Sequence, residues 1–364
     1  MSSFIDKITF SVVPLKSTVK ALRLFKIDYT FKRIWNLVKI LSSMYVSAVT
    51  RRPFVWGLPP IVMFEPTNIC NLKCPMCPAV SGKRILEKGK LELDNYKNLL
   101  DEIGPYIFQL QLWNQGEPFV HKDFLEMVRY AKEKGIMTIT STNAHFVGSA
   151  EKAEEIVNSG LDQLIISMDG TNQESYEKYR INGDFNLVIY NLKLLAKAKE
   201  KLHSRLPLIE LQFIVFKHNQ QEIDKIIELA KELHLNRLSF KSPMVYTAEQ
   251  ADTFLDTKQK DEMYTFAGTE AKRKKIPNRC KRLWLNTTVN WNGTVVPCCF
   301  DADSDHVFNN VFHKVKSFKK IWKSPLYKIF RKKVLADRSQ IEICCNCTEG
   351  MDEPYAKIIE LEDL

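Results

Sequence analysis

The sequence has no apolar run of the roughly 18 residues that a membrane-spanning helix requires, because charged or polar residues interrupt every such run. We therefore expect a chain that does not cross a bilayer. The first residues also lack the small-residue cleavage site of a signal peptide, and Asp6, Lys7 and Lys16 bracket the short apolar stretch there. The sequence thus predicts a protein that stays in the cytoplasm.

Cysteine is scarce as well, with nine among 364 residues, far below the roughly 8–10% of a disulfide scaffold. A reducing cytosol would keep these cysteines as thiols. They form three groups of three, with none between the first and second groups: Cys70, Cys74 and Cys77; Cys280, Cys298 and Cys299; Cys344, Cys345 and Cys347. Packing cysteines would be spread through the core, so this grouping indicates ligands.

Acidic residues are rare in residues 1–56, which contain two acidic and ten basic residues. This segment therefore carries +8 of the net charge of +10. The pattern of 31–46 predicts a helix with one apolar stripe, formed by Phe31, Ile34, Trp35, Val38, Leu41 and Tyr45. Such a basic amphipathic helix can lie on a membrane surface. The alternative is a helix that packs on the rest of the protein and leaves its charges in water. No nucleic-acid motif accompanies the charge, so we expect no nucleic-acid partner.

Between residues 57 and 242 the sequence alternates β-rich runs with helical patterns. Six strands are predicted, at 61–65, 107–113, 136–141, 163–167, 209–216 and 237–241. Helical spacing is found between them, at 122–134, 149–158, 185–201 and 220–233. The alternation predicts an α/β fold, a partial (β/α)6 TIM-type barrel, since six units are too few for a complete eight-stranded barrel.

A polar or cysteine-bearing motif follows each of the first four predicted strands. The first cysteine group follows strand one, and the motif after strand two is Gln115, Gly116, Glu117 and Pro118. Asn143 follows strand three, and Asp169 follows Ser167 at the end of strand four. Because the carboxyl ends of parallel strands meet at one edge, these motifs predict one site.

Cys70, Cys74 and Cys77 supply three thiolates from one short loop. On a cubane cluster, three thiolates leave one iron without a protein ligand, comparable with the open position of a catalytic zinc site. Zinc is the alternative, but no histidine is close by and three cysteines do not complete a structural tetrahedron. The loop therefore favours an iron-sulfur cluster with an open iron.

The CxxxCxxC spacing of this loop resembles the signature of the radical S-adenosylmethionine (SAM) superfamily. The resemblance implies a catalytic [4Fe-4S] cluster on these cysteines, whose open iron binds the amino and carboxylate groups of SAM. It implies that one electron cleaves SAM to methionine and a 5'-deoxyadenosyl radical, which abstracts a hydrogen from a substrate. It also implies an external one-electron donor such as flavodoxin or ferredoxin.

The resemblance extends to the proposed SAM contacts. Gly116, Glu117 and Pro118 are similar to the family's glycine-glutamate motif, which binds the SAM amino group, with Gln115 in place of the usual first glycine. Asn143 resembles the polar motif that lines the cofactor pocket. Ser167, Asp169 and Arg180 resemble a subfamily motif whose serine and arginine hold the SAM carboxylate. The alternative for residues 116–118 is an ordinary Gly-Glu-Pro turn without a role in SAM binding. The alternative for Arg180 is a helix residue whose side chain is in water.

The later cysteines resemble the SPASM extension of radical SAM enzymes, in which a glycine and a cysteine five residues after it follow a first cysteine. Gly293 and Cys298 fit that spacing after Cys280. The resemblance implies one auxiliary [4Fe-4S] cluster, held by Cys280, Cys298, Cys344 and Cys347. Either Cys299 or Cys345 can replace its neighbour, and zinc is the alternative metal for this set.

These patterns divide the chain into an amino-terminal extension (1–56), a radical SAM partial barrel (57–242), a connector (243–279), a SPASM-like domain (280–350) and an acidic tail (351–364). Within the SPASM-like domain, 283–289 and 294–296 read as strands and 322–334 as a helix. The predicted function is a radical SAM enzyme acting on an unidentified peptide or protein side chain, or on a membrane-associated lipid or glycan. The alternative is a non-catalytic iron-sulfur or zinc protein, such as an electron carrier.

Overall fold

The computed structural model describes residues 25, 27–81, 87–274, 276–313, 317–349 and 355–361. Its centre is a sheet of six parallel strands that pair in chain order, and all six strands expected from the sequence are present. They are β1 (Ile61–Phe64), β2 (Gln109–Leu112), β3 (Met137–Thr142), β4 (Gln163–Ser167), β5 (Leu208–Ile214) and β6 (Arg237–Lys241). The expectation of an α/β barrel-type fold is confirmed.

The helices that connect these strands bury apolar side chains against the sheet. The chain enters through α1 (Phe31–Thr50), and the later helices of this half are α2 (Pro78–Ser81), α3 (Leu93–Ile103), α4 (Phe124–Glu133), α5 (Ala150–Asn158), α6 (Gln173–Glu177), α7 (Phe185–Lys201) and α8 (Ile223–Glu232). Short 3-10 turns lie at Gly104–Tyr106, Pro118–Val120 and Gln220–Glu222. The four connecting helices expected from the sequence are confirmed within a few residues. Helix α3 was not predicted from the sequence, although it buries Tyr96, Leu99, Leu100 and Ile103.

The stretch after β6 contains regular structure. It consists of α9 (Ala248–Phe254), α10 (Thr257–Met263) and the antiparallel hairpin of β7 (Tyr264–Ala267) with β8 (Glu270–Arg273). These elements build a small core of their own around Val245, Leu255, Met263 and Tyr264. The segment read as a polar connector thus has its own packed elements.

The carboxyl-terminal region adds strands to both edges of the parallel sheet. Its elements are α11 (Arg282–Leu285), β9 (Thr288–Val289), β10 (Thr294–Val296), β11 (Asn309–Asn310), α12 (Phe318–Trp322), α13 (Pro325–Asp337), a 3-10 turn (Arg338–Gln340), α14 (Glu342–Cys345) and β12 (Lys357–Glu360). Strand β9 pairs parallel with β1, and β12 pairs antiparallel with β6. The sheet therefore has ten strands in the described part of the chain, and the region carrying the later cysteines is continuous with it.

Two expectations for this region are wrong in part. Residues 282–285 are helical, so only the end of the predicted 283–289 strand is β-structure. The predicted helix at 322–334 is two helices, because Ser324 and Pro325 start a new one: Ser324 accepts a cap bond from the Tyr327 N–H, and Pro325 is the first helical residue.

Helix α1 packs on the amino-terminal edge of the sheet through polar side chains. Asn36 accepts a hydrogen bond from the Leu58 N–H at 2.7 Å and donates to the carbonyls of Leu58 and Tyr106 at 3.0 and 3.1 Å. Leu58 precedes β1 and Tyr106 precedes β2. The Asn36 side chain therefore fixes the helix to the loops that lead into two adjacent strands.

Replacing Asn36 with alanine is expected to lower the free energy of unfolding by about 1–3 kcal/mol, because the buried N–H and carbonyl of Leu58 and the partly buried carbonyl of Tyr106 lose this partner. Urea unfolding followed by circular dichroism measures this. Ser42→Ala, an exposed site on the same helix, is the control and should change stability by less than about 0.5 kcal/mol. Equal effects of the two substitutions would contradict the proposed role of the amide.

Candidate active site

The first three cysteines lie on the loop that leaves the carboxyl end of β1. Cys74 is buried, and Cys70 and Cys77 are partly exposed. All nine cysteines are among the described residues and none forms a disulfide. In the described part of the chain, no three His, Cys, Asp or Glu side chains converge closely enough to hold one metal ion. The loop thus presents three thiols at the carboxyl edge of the sheet.

Gly116 brings the loop after β2 against the backbone that leads into the cysteine loop. Its φ is +74°, and a Cβ atom there would lie 2.5 Å from the Thr67 carbonyl oxygen and 2.8 Å from that of Ile69. The next residue, Glu117, donates its N–H to the Ile69 carbonyl at 2.8 Å. Only glycine fits a left-handed backbone this close to another segment. Gly116 therefore fixes where the cysteine loop begins.

The Glu117 carboxylate ties this loop to the end of β3. It accepts hydrogen bonds from the Thr142 hydroxyl at 2.7 Å and from the Asn143 N–H at 2.8 Å. Burial raises the pKa of Glu117 to about 7, although these hydrogen bonds oppose the shift. The Asn143 amide donates to Asn71 Oδ1 at 2.8 Å and lies 3.8 Å from Cys70 Sγ. A continuous set of contacts therefore joins the glycine-glutamate motif to Cys70.

A buried ion pair joins the loop after β4 to the second cysteine. Asp169 Oδ2 accepts from Arg180 Nε at 2.6 Å and from its Nη2 at 2.5 Å. The third nitrogen, Nη1, lies 3.8 Å from Cys74 Sγ. Burial raises the pKa of Asp169, and the Arg180 cation opposes that shift. The guanidinium that the family resemblance assigns to the SAM carboxylate is thus held by Asp169 and faces a cysteine of the loop.

Two other sequence-predicted residues lie at the same edge. Ser167 is the last residue of β4, and its hydroxyl lies 3.3 Å from that of Ser141 on β3. Pro118 is buried and begins the 3-10 turn after Glu117. The structure therefore brings the four strand-end motifs to one edge, as the parallel topology requires.

Four of the later cysteines lie near one another, with Cys347 buried and Cys280, Cys298 and Cys344 partly exposed. Burial raises the pKa of Cys280 to about 12, and the Cys347 thiolate is among the nearby charges that raise it further. Burial also raises the pKa of Cys298, with further contributions from Cys299, Cys280 and Cys347, and the pKa of Cys344, with further contributions from Cys280, Cys347 and Cys345. These four thiols are thus close enough to influence each other's ionisation.

The two remaining cysteines have other contacts. The Cys345 thiol donates to the Glu342 carbonyl of its own helical turn at 3.0 Å. Cys299 Sγ lies 3.8 Å from Arg282 Nη1, and Arg282 also pairs with Glu349 at 2.9 Å. Arg282 thus stands beside Cys299 as Arg180 stands beside Cys74.

The surroundings of both cysteine groups fit an iron-sulfur cluster. Backbone N–H groups donate to Cys70 Sγ from Leu72 and to Cys347 Sγ from Glu349, each at 3.4 Å. Buried thiols with raised pKa values stay protonated at neutral pH unless a metal binds them. N–H donors and nearby cations such as Arg180 offset the negative charge that thiolates bring to a cluster. Thiols, N–H donors and cations of these kinds are what an iron-sulfur cluster requires.

A polar cavity of about 100 Å³ lies between the carboxyl ends of β1 and β2 and the β9–β10 turn, and Glu65, Gln115 and Trp291 are among its lining residues. Glu65 accepts hydrogen bonds from the N–H groups of Gln115 at 3.2 Å and of Trp291 at 3.3 Å. Burial raises the pKa of Glu65 to about 7. The Gln115 amide donates to the Ala302 carbonyl at 2.6 Å. Both side chains thus join the barrel to the region of the later cysteines.

Several residues of the site were not predicted from the sequence. Glu65 follows β1 directly, and its place at a strand end was an available signal. Asn71 lies inside the cysteine loop, and Arg282 is two residues after Cys280. Arg338, whose side chain donates to the Cys347 carbonyl at 3.1 Å, had no such signal because only the packing of α13 brings it there.

Residues 64–230 match the model of the radical SAM superfamily. Residues 280–348 match the model of the SPASM domain, described as an iron-sulfur cluster-binding domain. The chain belongs to the radical SAM superfamily and carries a SPASM domain. Both resemblances drawn from the cysteine spacings are confirmed, and the radical SAM match includes the motifs after the first four strands of the barrel.

Known proteins resemble this radical SAM chain over different lengths. The AdoMet-dependent heme synthase of Methanosarcina barkeri is 30% identical over 176 residues, which are 48% of each chain. The tungsten-containing aldehyde ferredoxin oxidoreductase cofactor-modifying protein of Pyrococcus furiosus is 26% identical over 297 residues, 73% of this chain and 82% of that one. The chain thus spans about half the length of the first relative and most of the second.

The structure of SuiB from Streptococcus suis bound to S-adenosylmethionine superposes with a TM-score of 0.59 over 93% of this chain and 83% of SuiB. The two sequences are 13% identical. At this identity the likeness establishes a shared radical SAM fold.

Gly116→Ala is expected to cost more stability than Gly148→Ala, although both glycines have a similar positive φ, +74° and +73°. A Cβ at position 148 meets nothing within 4 Å, whereas one at 116 overlaps the entry to the cysteine loop. We expect about 1 kcal/mol for Gly148→Ala from backbone strain, and about 1–3 kcal/mol more for Gly116→Ala from overlap. Urea unfolding of the two variants measures the difference. Equal losses would show that the close approach at Gly116 is unimportant.

Glu65→Gln should change how stability depends on pH. The pKa of Glu65 is raised from 4.5 to about 7 in the folded chain, so the folded state binds more protons between these values. Wild-type stability should therefore fall relative to Glu65→Gln as pH rises from about 5 to 7.5, by roughly 1–3 kcal/mol. Urea unfolding across this range tests the sign, and a difference that stays flat or grows in favour of the wild type would refute it.

Proposed function

We propose that this protein is a SAM-cleaving radical enzyme. Cys70, Cys74 and Cys77 would hold a [4Fe-4S] cluster, which would supply the electron that cleaves SAM reductively to methionine and a 5'-deoxyadenosyl radical, able to abstract a hydrogen from a substrate. The observation that carries this proposal is the three-thiol loop at the carboxyl edge of a parallel sheet, with Arg180 and Asn143 directed at its sulfurs.

The residues around the loop would control its charge and shape. Arg180, fixed by two hydrogen bonds to Asp169, places a positive charge next to Cys74 and favours the thiolate form of that cysteine. Asn143 and the Leu72 N–H donate toward Cys70. Because these donors are held by buried partners, they need no rearrangement to stabilise thiolates.

The SAM contacts are part of the same proposal. We assign the amino group of SAM to the loop of Gln115, Gly116, Glu117 and Pro118, and its carboxylate to Ser167 and Arg180, with Asn143 lining the pocket. The location of these residues at one edge, next to the cysteine loop, supports the assignment. In this role Glu117 would act mainly through the backbone that its carboxylate holds in place, since that carboxylate accepts hydrogen bonds from Thr142 and Asn143.

The SPASM region would hold one auxiliary cluster on Cys280, Cys298, Cys344 and Cys347, used for electron transfer or substrate contact. Arg338 supports this site by binding the Arg279, Cys347 and Glu349 carbonyls, which fixes both ends of the cysteine set. Zinc in place of the cluster is the second candidate for this set. The proposed division of the chain keeps the limits 57–242 for the barrel and 280–350 for the SPASM region.

The partners and location follow from this chemistry. A one-electron donor such as flavodoxin or ferredoxin would reduce the catalytic cluster, and a reducing cytoplasm would keep the nine thiols available. Among the described residues, no helix is long and apolar enough to cross a membrane. We place the protein in the cytoplasm with residues 1–56 in contact with a membrane surface. The substrate would be a peptide or protein side chain, or a lipid or glycan; SuiB has been solved with a precursor peptide, SuiA, bound.

Anaerobic reconstitution with iron and sulfide should give about eight iron atoms per chain, the content of two cubanes. With dithionite and SAM, the protein should release 5'-deoxyadenosine. The triple variant Cys70→Ala, Cys74→Ala, Cys77→Ala should keep about four iron atoms, because the auxiliary cysteines are unchanged. It should release no 5'-deoxyadenosine, because the catalytic cluster is missing. Iron analysis and chromatography of the products measure both results.

Cys345→Ser is the matched control, since the Cys345 thiol is turned to the Glu342 carbonyl, and it should retain the full iron content. About four iron atoms with one zinc would assign zinc to the auxiliary set and leave the catalytic proposal intact. A reconstituted protein that binds iron but releases no 5'-deoxyadenosine would instead support the alternative of a non-catalytic electron carrier.

A further inference from the structure

Helix α1 is amphipathic, but it is packed with its polar side toward the protein. Its buried side chains are Arg33, Asn36, Ile40, Ser43 and Ser47, only one of which is apolar. Arg33 alone donates to the backbone carbonyls of Asp28, Gly104, Lys134 and Gly135 at 2.6–3.2 Å. The buried side of α1 therefore combines these hydrogen bonds with apolar contacts of Leu37, Ile40, Leu41 and Met44 to the core.

The apolar stripe of α1 faces away from the barrel. Phe31 is 80% exposed and Val49 is 67% exposed, and the stripe as a whole consists of Phe31, Ile34, Trp35, Val38, Tyr45 and Val49. These six positions fall within an arc of about 100° around the helix, opposite the buried polar residues. Leu41, which the sequence places in the stripe, is partly buried against the core. An exposed apolar face of this length needs a partner to be stable in the cell.

The face is bordered by lysines and has no acid within the helix. Lys32 and Lys39 project on one side of it, and Lys39 Nζ lies 5.4 Å from the Trp35 ring. Lys39 and Lys319 also lie close enough to Lys323 to lower its pKa, after the larger effect of partial burial. Lys323 Nζ in turn donates to the carbonyl of Trp56, another exposed aromatic residue, at 3.1 Å. Positive charge therefore lies along one side of the aromatic face.

We propose that the exposed face of α1 docks on an anionic lipid surface, with Phe31, Trp35 and Tyr45 in the headgroup region. Amphipathic aromatic rings suit the boundary between headgroups and acyl chains, and lysines at the edge attract anionic lipids, each by about 1 kcal/mol. A second copy of the chain would bring the same lysines together, which disfavours a symmetric dimer through this face. The docking deepens, and rests on, the membrane contact proposed for residues 1–56.

The position of α1 also sets the orientation of the docked protein. Its anchors, Leu58, Gly104, Tyr106 and Gly135, all lie just before strands, whereas the cysteine loop follows the far end of β1. With strands of four to six residues at β1–β3, the two ends are about 13–20 Å apart. Docking through α1 therefore turns the candidate site away from the lipid, so its substrate would come from water, as a peptide or protein would.

Sedimentation of the full-length protein with phosphatidylcholine vesicles, with and without phosphatidylglycerol, tests the docking. The wild type should bind the anionic vesicles and lose binding as salt rises. Phe31→Ser with Trp35→Ser should weaken binding roughly tenfold or more, because both rings leave the interface. Tyr190→Ser is the matched control, since Tyr190 is 52% exposed on α7, and it should bind as the wild type does.

A chain without residues 1–24 distinguishes α1 from the segment before it. If the shortened chain still binds the anionic vesicles, docking by α1 is supported. If it no longer binds them, residues 1–24 carry the binding and the proposal is overturned. No binding by the wild type, equal binding by the double variant, or a dimer that the double variant disrupts would each overturn the proposal. None of these measurements depends on iron or SAM, so their failure is separate from failure of the proposed catalysis.

Hydrogen exchange on vesicles tests the orientation. Peptides that cover 31–50 should gain protection, and peptides that cover the cysteine loop, 70–77, should not. Protection at 70–77 would show that the site faces the lipid and would contradict the proposed orientation. It would favour a lipid or glycan as the substrate.

Discussion

The parallel pairing of β1 to β6 is the constraint on which the candidate site depends. Parallel strands place their carboxyl ends at one edge, so side chains separated by more than a hundred residues meet there. At that edge Gly116 allows two loops to approach within contact distance, and Glu117 and Asn143 connect them to Cys70. Asp169 and Arg180 do the same for Cys74. The cysteine loop is short, so its shape is set largely by these neighbours.

Three buried carboxyl groups lie at the carboxyl edge of the parallel sheet. Glu65, Glu117 and Asp169 all have raised pKa values because burial disfavours their charged forms. Each nevertheless accepts a backbone N–H from another segment of the chain: Trp291 bonds to Glu65, Asn143 to Glu117, and Ile214 at the end of β5 to Asp169. Such buried acceptors give a site a fixed shape at a cost in stability, which is the usual balance at functional edges of α/β proteins.

The six strands and the first cysteine site were accessible from the sequence because their signals are local. Each strand is a short β-rich run, and the CxxxCxxC spacing lies within eight residues. The carboxyl-terminal region was less predictable: Leu283, Trp284 and Leu285 form an apolar run of the kind found in strands, yet they lie in α11. Its β9 pairs with β1 across more than two hundred residues, and no local pattern encodes such a contact.

The sequence by itself determined the class of fold, the family and the grouping of the cysteines, since these depend on periodicity and spacing along the chain. Only the tertiary structure decided which groups stand beside each thiol: Arg180 is fixed at Cys74 by a buried carboxylate, and Cys345 is turned to its own helix. It also decided which side of α1 is buried. Helical periodicity shows that two faces exist, but the carbonyls before the strands select the polar one because buried acceptors require donors.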